Sequence, residues 1–198
     1  MRAKFTIPTH EVEAMRTLAG TDETRYALCG VFFEITKESV VLVATDGKKM
    51  GIMKSSASNI EMEGEKLEII APCVMISRLP KIKNGSVTVG INETKIHFEN
   101  KYGEVCEKII DMSYPNWRGV VPKAEFAPSR MTLTSRFVTH FEKCATKLCP
   151  GNSTVTLMPH GDELLPISVF IGNHKDFYGI IMPARAEQNS IPEWVKPK

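Results

Sequence analysis

The chain has 198 residues, 42 % hydrophobic and 24 % charged, with a formal net charge of +2. That balance supports a real buried core in one large or two small domains. The net charge is too small to announce nucleic-acid binding by amount alone, so any such contact depends on where the cations sit. No stretch approaches the roughly 20 apolar residues that a bilayer span needs, and the N-terminus lacks the apolar core of a signal peptide. Five scattered cysteines (Cys29, Cys73, Cys106, Cys144, Cys149) form no CxxC pair, which points to reduced thiols in the cytoplasm.

Residues 3–7 alternate like a short strand. Pro8-Thr9 then opens a helix whose apolar stripe is Val12, Met15, Leu18 and Ala19, ended by Gly20. After a polar loop at 21–25, strands are expected at 28–35, 40–44 and 50–54. Asp46-Gly47 makes the last two a hairpin whose tip carries Thr45, Lys48 and Lys49 beside Met50. A polar connection, 55–65, leads to a second strand (66–70), a helix from Pro72 to about 79, and strands at 86–91, 95–99 and 105–111. Beyond Pro122 the order recurs: a less clear strand at 125–133, a helix at 135–148, and strands at 153–158, 165–171 and 176–182. The strand-to-helix junctions near Pro8, Pro72 and Thr134 are about 60 residues apart, so the chain reads as three βαβββ units of an α+β fold.

Groups that could carry catalysis do not assemble in the sequence. Cys106, Cys144 and His140 are isolated, Cys144-x4-Cys149 is poor metal spacing, and no phosphate-binding glycine loop or Ser/His/Asp arrangement is evident. His97 reads as an exposed strand residue, and His160 and His174 as turn residues. The expectation is a protein without catalytic residues, metal or cofactor.

Four ordered segments carry a resemblance: Thr24 to Gly30 (TRYALCG), Val43 to Met50 (VATDGKKM), Tyr114 to Pro122 (YPNWRGVVP) and Gly179 to Arg185 (GIIMPAR). Together they are similar to the bacterial DNA polymerase III β sliding clamp, the ring that tethers replicative polymerase to its template. That family's middle domain carries R-x-x-L-x-G, V-A-T-D-G with a basic pair, and F/Y-P-D/N-Y-R-R-V-L/I-P, and its chain closes on M-P-x-R. The resemblance covers nearly all of residues 1–186. It implies a clamp fold with outer antiparallel sheets and inner helices. Residues 1–121 would form a complete domain of two units, 122–186 a half domain, and 187–198 a flexible tail. Family chains hold six units, so a first domain and half of a last one have no counterpart here. Lys48-Lys49 stand in place of His-Arg, Gly119 in place of arginine, and Ala184 in place of a larger apolar residue.

The resemblance also implies partners. Polymerase and clamp-loader peptides would enter a groove lined by Leu28, Thr45, Gly47, Lys48, Lys49, Met50, Pro115, Val120, Ile180, Met182, Pro183 and Arg185. These are adaptable apolar side chains with a polar, cationic rim. Double-stranded DNA would run past the helices without being read. Phe137, Phe141, Cys144 and Leu148 form an apolar stripe on the third helix, and Arg136, His140, Lys143 and Lys147 repeat that spacing one position earlier, roughly 100° round. Helix two adds Arg78, Lys81 and Lys83, and helix one adds Arg16. Family rings contain twelve units, so head-to-tail closure implies a tetramer. The alternative is an adaptor that binds the same peptides without encircling DNA. In the tail, Gln188, Ile191 and Trp194 have a spacing similar to clamp-binding peptides, so the tail could compete for the groove.

Overall fold

The computed structural model describes residues 1–79 and 85–185. Lys81, Lys83 and the Gln188-Ile191-Trp194 spacing lie outside them. The first unit is β1 (Ala3–Pro8), α1 (Thr9–Arg16), β2 (Gly30–Thr36), β3 (Val40–Thr45) and β4 (Lys49–Lys54). An edge strand, β5 (Ser58–Met62), precedes the second: β6 (Lys66–Pro72), α2 (Cys73–Ser77), β7 (Ser86–Ile91), β8 (Lys95–Asn100) and β9 (Gly103–Lys108). The last part holds α3 (Ser135–Leu148), β10 (Val155–Met158), β11 (Ile167–Ile171) and β12 (Phe177–Ile181).

The first two units exchange their leading strands. β1 leaves its own unit and pairs with β7, while β6 pairs with β2, giving sheets ordered β5-β1-β7-β8-β9 and β10-β11-β12-β4-β3-β2-β6. Alternation dictates this: Ala3, Phe5 and Ile7 on β1 are buried, as are Val31, Phe33 and Ile35 on β2. These residues share one core with the apolar stripes of the helices. Val12, Met15 and Leu18 are fully buried there, as are Phe141 and Cys144, and Phe137 and Leu148 are buried beside them.

The last three strands continue the first unit's sheet, since β12 pairs antiparallel with β4 and places Gly179 opposite Gly51. Both are glycine because side chains fill the space a Cβ would need: Leu18, just past α1, and Phe177 of β12 at Gly51, and the Phe141 ring of α3 at Gly179. The paired glycines thus let α1 and α3 seat side by side against the junction.

Four expectations are corrected. Residues 55–65 contain a strand, β5, whose polar side chains suit an exposed edge and therefore look like loop. Leu28 sits in a 3-10 turn, Glu23–Cys29, and not on a strand. The second helix stops at Ser77. The expected strand at 125–133 does not form: only Ala127 makes a bridge, parallel to His160. Leading strands β1 and β6 pair with the neighbouring unit, and among the described residues no such neighbour stands beside 125–133.

Candidate functional site

The tip of the β3–β4 hairpin is held by its own polar groups. The Asp46 carboxylate accepts the Lys48 and Lys49 N–H groups at 2.8 and 2.9 Å and the Lys49 ammonium at 3.0 Å. Burial alone would raise the Asp46 carboxyl, but these donors outweigh it and hold it below its ordinary value. Thr45 Oγ1 donates to the Lys49 carbonyl and accepts from Gly47 N–H. Gly47 has φ +87°, and a Cβ there would lie 2.6 Å from the Arg25 guanidinium, which donates to the Asp46 carbonyl. Lys49 is 2 % exposed, and its ammonium also donates to the Leu18 carbonyl at 2.7 Å. It is therefore a buried strut, not the groove-rim cation the sequence suggests. Its desolvation lowers its pKa despite Asp46.

Three further segments meet this tip. The 3-10 turn, capped by Asp22 on Thr24 N–H, delivers Leu28 and Arg25. The segment 110–121 lies across the outer face of the sheet: Tyr114 stacks on Phe32 at 4.8 Å, and a second 3-10 turn (Trp117–Val120) presents Trp117 and Val120. Arg118 pins this segment, donating twice to Glu34 at 2.6 and 2.9 Å while lying 3.9 Å over the Trp117 ring. With Lys66 3.0 Å away, the Arg118 hydrogen bonds hold the Glu34 carboxyl down at about 2. The chain after β12 closes the last wall, Met182 N–H donating to the Lys48 carbonyl at 2.8 Å.

These segments enclose an apolar cavity of about 150 Å³ lined by Leu28, Thr45, Gly47, Lys48, Lys49, Met50, Pro115, Val120, Ile180 and Met182. All ten are residues the sequence singles out. Its rim leaves apolar area uncovered, with Val120 49 % and Met182 40 % exposed. Pro183 and Arg185 do not line it: they continue past Met182, half-buried and exposed respectively. Arg25, Asn116 and Trp117 complete the lining and went unassigned, although all three lie within the quoted motifs.

On the other side of the hairpin tip, a polar cleft of about 670 Å³ runs between α1, α3 and the tip. It gathers Arg16, Arg136, His140 and Lys143 with Lys48, Arg25, Asp22 and Asp46. Burial, with the Lys49, Lys143 and Arg136 charges and against Asp46, lowers the His140 pKa. His140 is thus a neutral member of the expected basic stripe at pH 7. Two other expected cations are engaged elsewhere: Lys147 pairs with Glu13 at 2.9 Å and Arg78 with Glu107 at 2.7 Å.

Among the described residues no cluster of His, Cys, Asp and Glu is arranged to hold a metal. One Ser/His pair escapes sequence reading: His160 Nε2 lies 2.9 Å from Ser168 Oγ, which also meets the Tyr178 hydroxyl, while His160 Nδ1 faces the Ala124 carbonyl at 2.7 Å. Ser168 is fully buried and the pair has no acid, so it acts as a tie between 124–127 and β11. None of the described helices is long and apolar enough to cross a membrane.

Comparison with known proteins fits this arrangement. Residues 8–116, more than half of the chain, match the family model of the DNA polymerase III beta subunit, central domain. Beta sliding clamps of Synechocystis sp. and Borreliella burgdorferi are 22 % and 25 % identical over 162 and 118 residues. Those alignments cover 74 % and 58 % of this chain but 41 % and 30 % of theirs, so the chain spans about two fifths or less of these relatives. Among solved structures, a Pseudomonas aeruginosa DNA polymerase sliding clamp with ligand superposes with TM-score 0.72 at 14 % identity, over 92 % of this chain and 66 % of that one. A Helicobacter pylori beta clamp bound to a DNA ligase peptide gives 0.68 at 13 %, over 93 % and 66 %. The chain has the α+β clamp fold and belongs to the DNA polymerase III beta subunit family, the beta sliding clamps.

Proposed function

We propose that this chain is a compact, non-catalytic processivity factor of the cytoplasm. Copies of it encircle double-stranded DNA, and the cavity behind the hairpin tip receives short peptides of polymerase and clamp loader. The chain is taken as a complete clamp domain, 1–121, followed by a half domain, 122–186; twelve units per ring then call for four copies. The observation that carries the reading is the convergence of four separated segments on one apolar cavity with a polar, hydrogen-bonded tip. A peptide seated there would rest on Leu28 and Met50, cover the exposed Val120 and Met182, and bond to backbone at Gly47 and Lys48. The Helicobacter pylori clamp bound to a DNA ligase peptide supports this class of partner. Arg16, Arg136 and Lys143, with Lys48, would meet phosphates without reading bases.

The test of the groove is fluorescence polarisation with a labelled DNA ligase peptide of that kind. Wild-type protein should bind and Met182→Asp, at the exposed rim, should not. Equal binding by both would remove the groove from the account.

A further inference from the structure

The half domain lacks what the complete domain shows it needs. In the first two units each three-stranded sheet is finished by the other unit's leading strand: β6 on β2, β1 on β7. In the third unit β10 pairs only with β11, and among the described residues no strand covers its outer edge. The leading segment of that unit, 131–133, joins no sheet among the described residues. Yet its geometry is that of β6. The β6 residue Ile70 turns its carbonyl away from β2, to the Ile110 N–H at 3.0 Å. Thr132, three residues before α3 as Ile70 is three before α2, likewise gives its carbonyl to the Ala184 N–H at 2.8 Å. Both acceptors' donors lie just beyond the last strand of their unit.

The backbone groups of Met131 and Leu133 therefore point the way those of Ile69 and Ala71 point toward β2, and among the described residues they make no backbone hydrogen bond. Val155 and Leu157 are in the matching state. Gly172 N–H bonds to the Thr154 carbonyl, so alternate residues Thr154 and Thr156 face β11, and Val155 and Leu157 turn their N–H and C=O groups to the open edge. Burial agrees. Four residues before each helix, Phe5 is 1 % and Ile69 4 % exposed, whereas Met131 is 40 % exposed. Phe126 and Leu164, on the same unit, are 51 % and 63 % exposed.

We propose that a second copy of this chain completes the third unit by reciprocal strand exchange about a two-fold axis. Residues 131–133 of each copy add antiparallel to the β10 edge of the other. Matching the inward faces fixes the register: Leu133 opposite Val155, Met131 opposite Leu157, Thr132 opposite Thr156. The contact is isologous, each copy giving one strand and accepting one. It supplies strand partners for Met131 and Leu133 and for the β10 edge, which have none among the described residues. The joined pair would present a complete domain at its centre, flanked by the two domains formed by 1–121. It requires neither DNA nor peptide.

In the proposed register Thr132 and Thr156 form a non-hydrogen-bonded pair, whose Cα atoms lie about 4.5 Å apart, close enough for a disulfide. With Cys106→Ser as background to remove the exposed native thiol, Thr132→Cys and Thr156→Cys chains are mixed, oxidised and run without reductant. The mixture should give a disulfide-linked dimer and each variant alone should give none. Independently, Met131→Asp places a carboxylate where the partner's Leu157 would cover it; sedimentation should show the dimer weakened about a hundredfold or more, with the monomer's circular dichroism unchanged. A wild-type chain that stays monomeric at tens of micromolar overturns the proposal. So does an oligomer whose mixed cysteine variants fail to link, or one that Met131→Asp leaves intact.

Discussion

Arg118→Ala separates the pin of the groove wall from the wall itself. It removes both hydrogen bonds to Glu34 and the guanidinium over Trp117, leaving a carboxylate 8 % exposed with Lys66 alone. A carboxyl moved from its ordinary 4.5 to about 2 caps the stabilisation near ~3 kcal/mol. Arg118 and Lys66 are 56 % and 49 % exposed, and screening reduces the figure to about 2 kcal/mol. Chemical denaturation at pH 7 should show that loss, or a melting temperature lower by about 4–8 °C.

The pH dependence carries the sign. The folded carboxyl titrates below the unfolded one, so its contribution is complete above about pH 4.5 and drains away as pH falls toward 2. The gap between wild type and Arg118→Ala should therefore be constant from pH 7 to 5 and shrink by more than half by pH 2.5. A gap that persists undiminished at acid pH would mean that the loss comes from packing on Trp117 and not from the ion pair. Since Arg118 holds the segment carrying Pro115, Trp117 and Val120, peptide affinity should fall with it.

Other substitutions test other parts of the account. Gly47→Ala forces a side chain into positive φ and against Arg25; it should cost about 1 kcal/mol of stability and weaken peptide binding in polarisation assays. Gly179→Ala presses a methyl into the Phe141 ring at the junction of the two helices, and should destabilise by about 1–3 kcal/mol in a urea titration. Arg136→Glu with Lys143→Glu should lower DNA affinity and reduce the salt slope by roughly two phosphate contacts across four-way titrations, while leaving the peptide groove functional. His140→Gln should change DNA affinity little at pH 7.5, because His140 is already neutral there.

Legibility in the sequence followed the locality of the physics. The β3–β4 hairpin was plain because an apolar β-branched run ends at Asp46-Gly47, and α3 because its stripe repeats over a full fourteen residues. Ten groove positions could be named because resemblance ties distant segments together, which periodicity alone never does. Lys49 lines the cavity, yet its burial is not legible locally: a lysine beside a turn looks solvated, whereas the Leu18 carbonyl and Asp46 surround its ammonium. Arg118 and Glu34 lie 84 positions apart, and nothing local marks them as a pair. β5 hides because its apolar face is only Ile60 and Met62, too short an alternation to stand out among Ser58, Asn59 and Glu61. Residues 125–133 have a strand's pattern but, beyond the Ala127–His160 bridge, no strand partner among the described residues, and a strand is a property of pairs.

Retention on DNA tests the central claim most directly. Labelled protein is loaded on nicked circular DNA, free protein is removed by gel filtration, and the complex is split into two portions, one cut once with a restriction enzyme. The account predicts that the protein stays with the closed circle at moderate salt and slides off the linear form. Equal release from both would contradict encirclement and leave a peptide-binding adaptor.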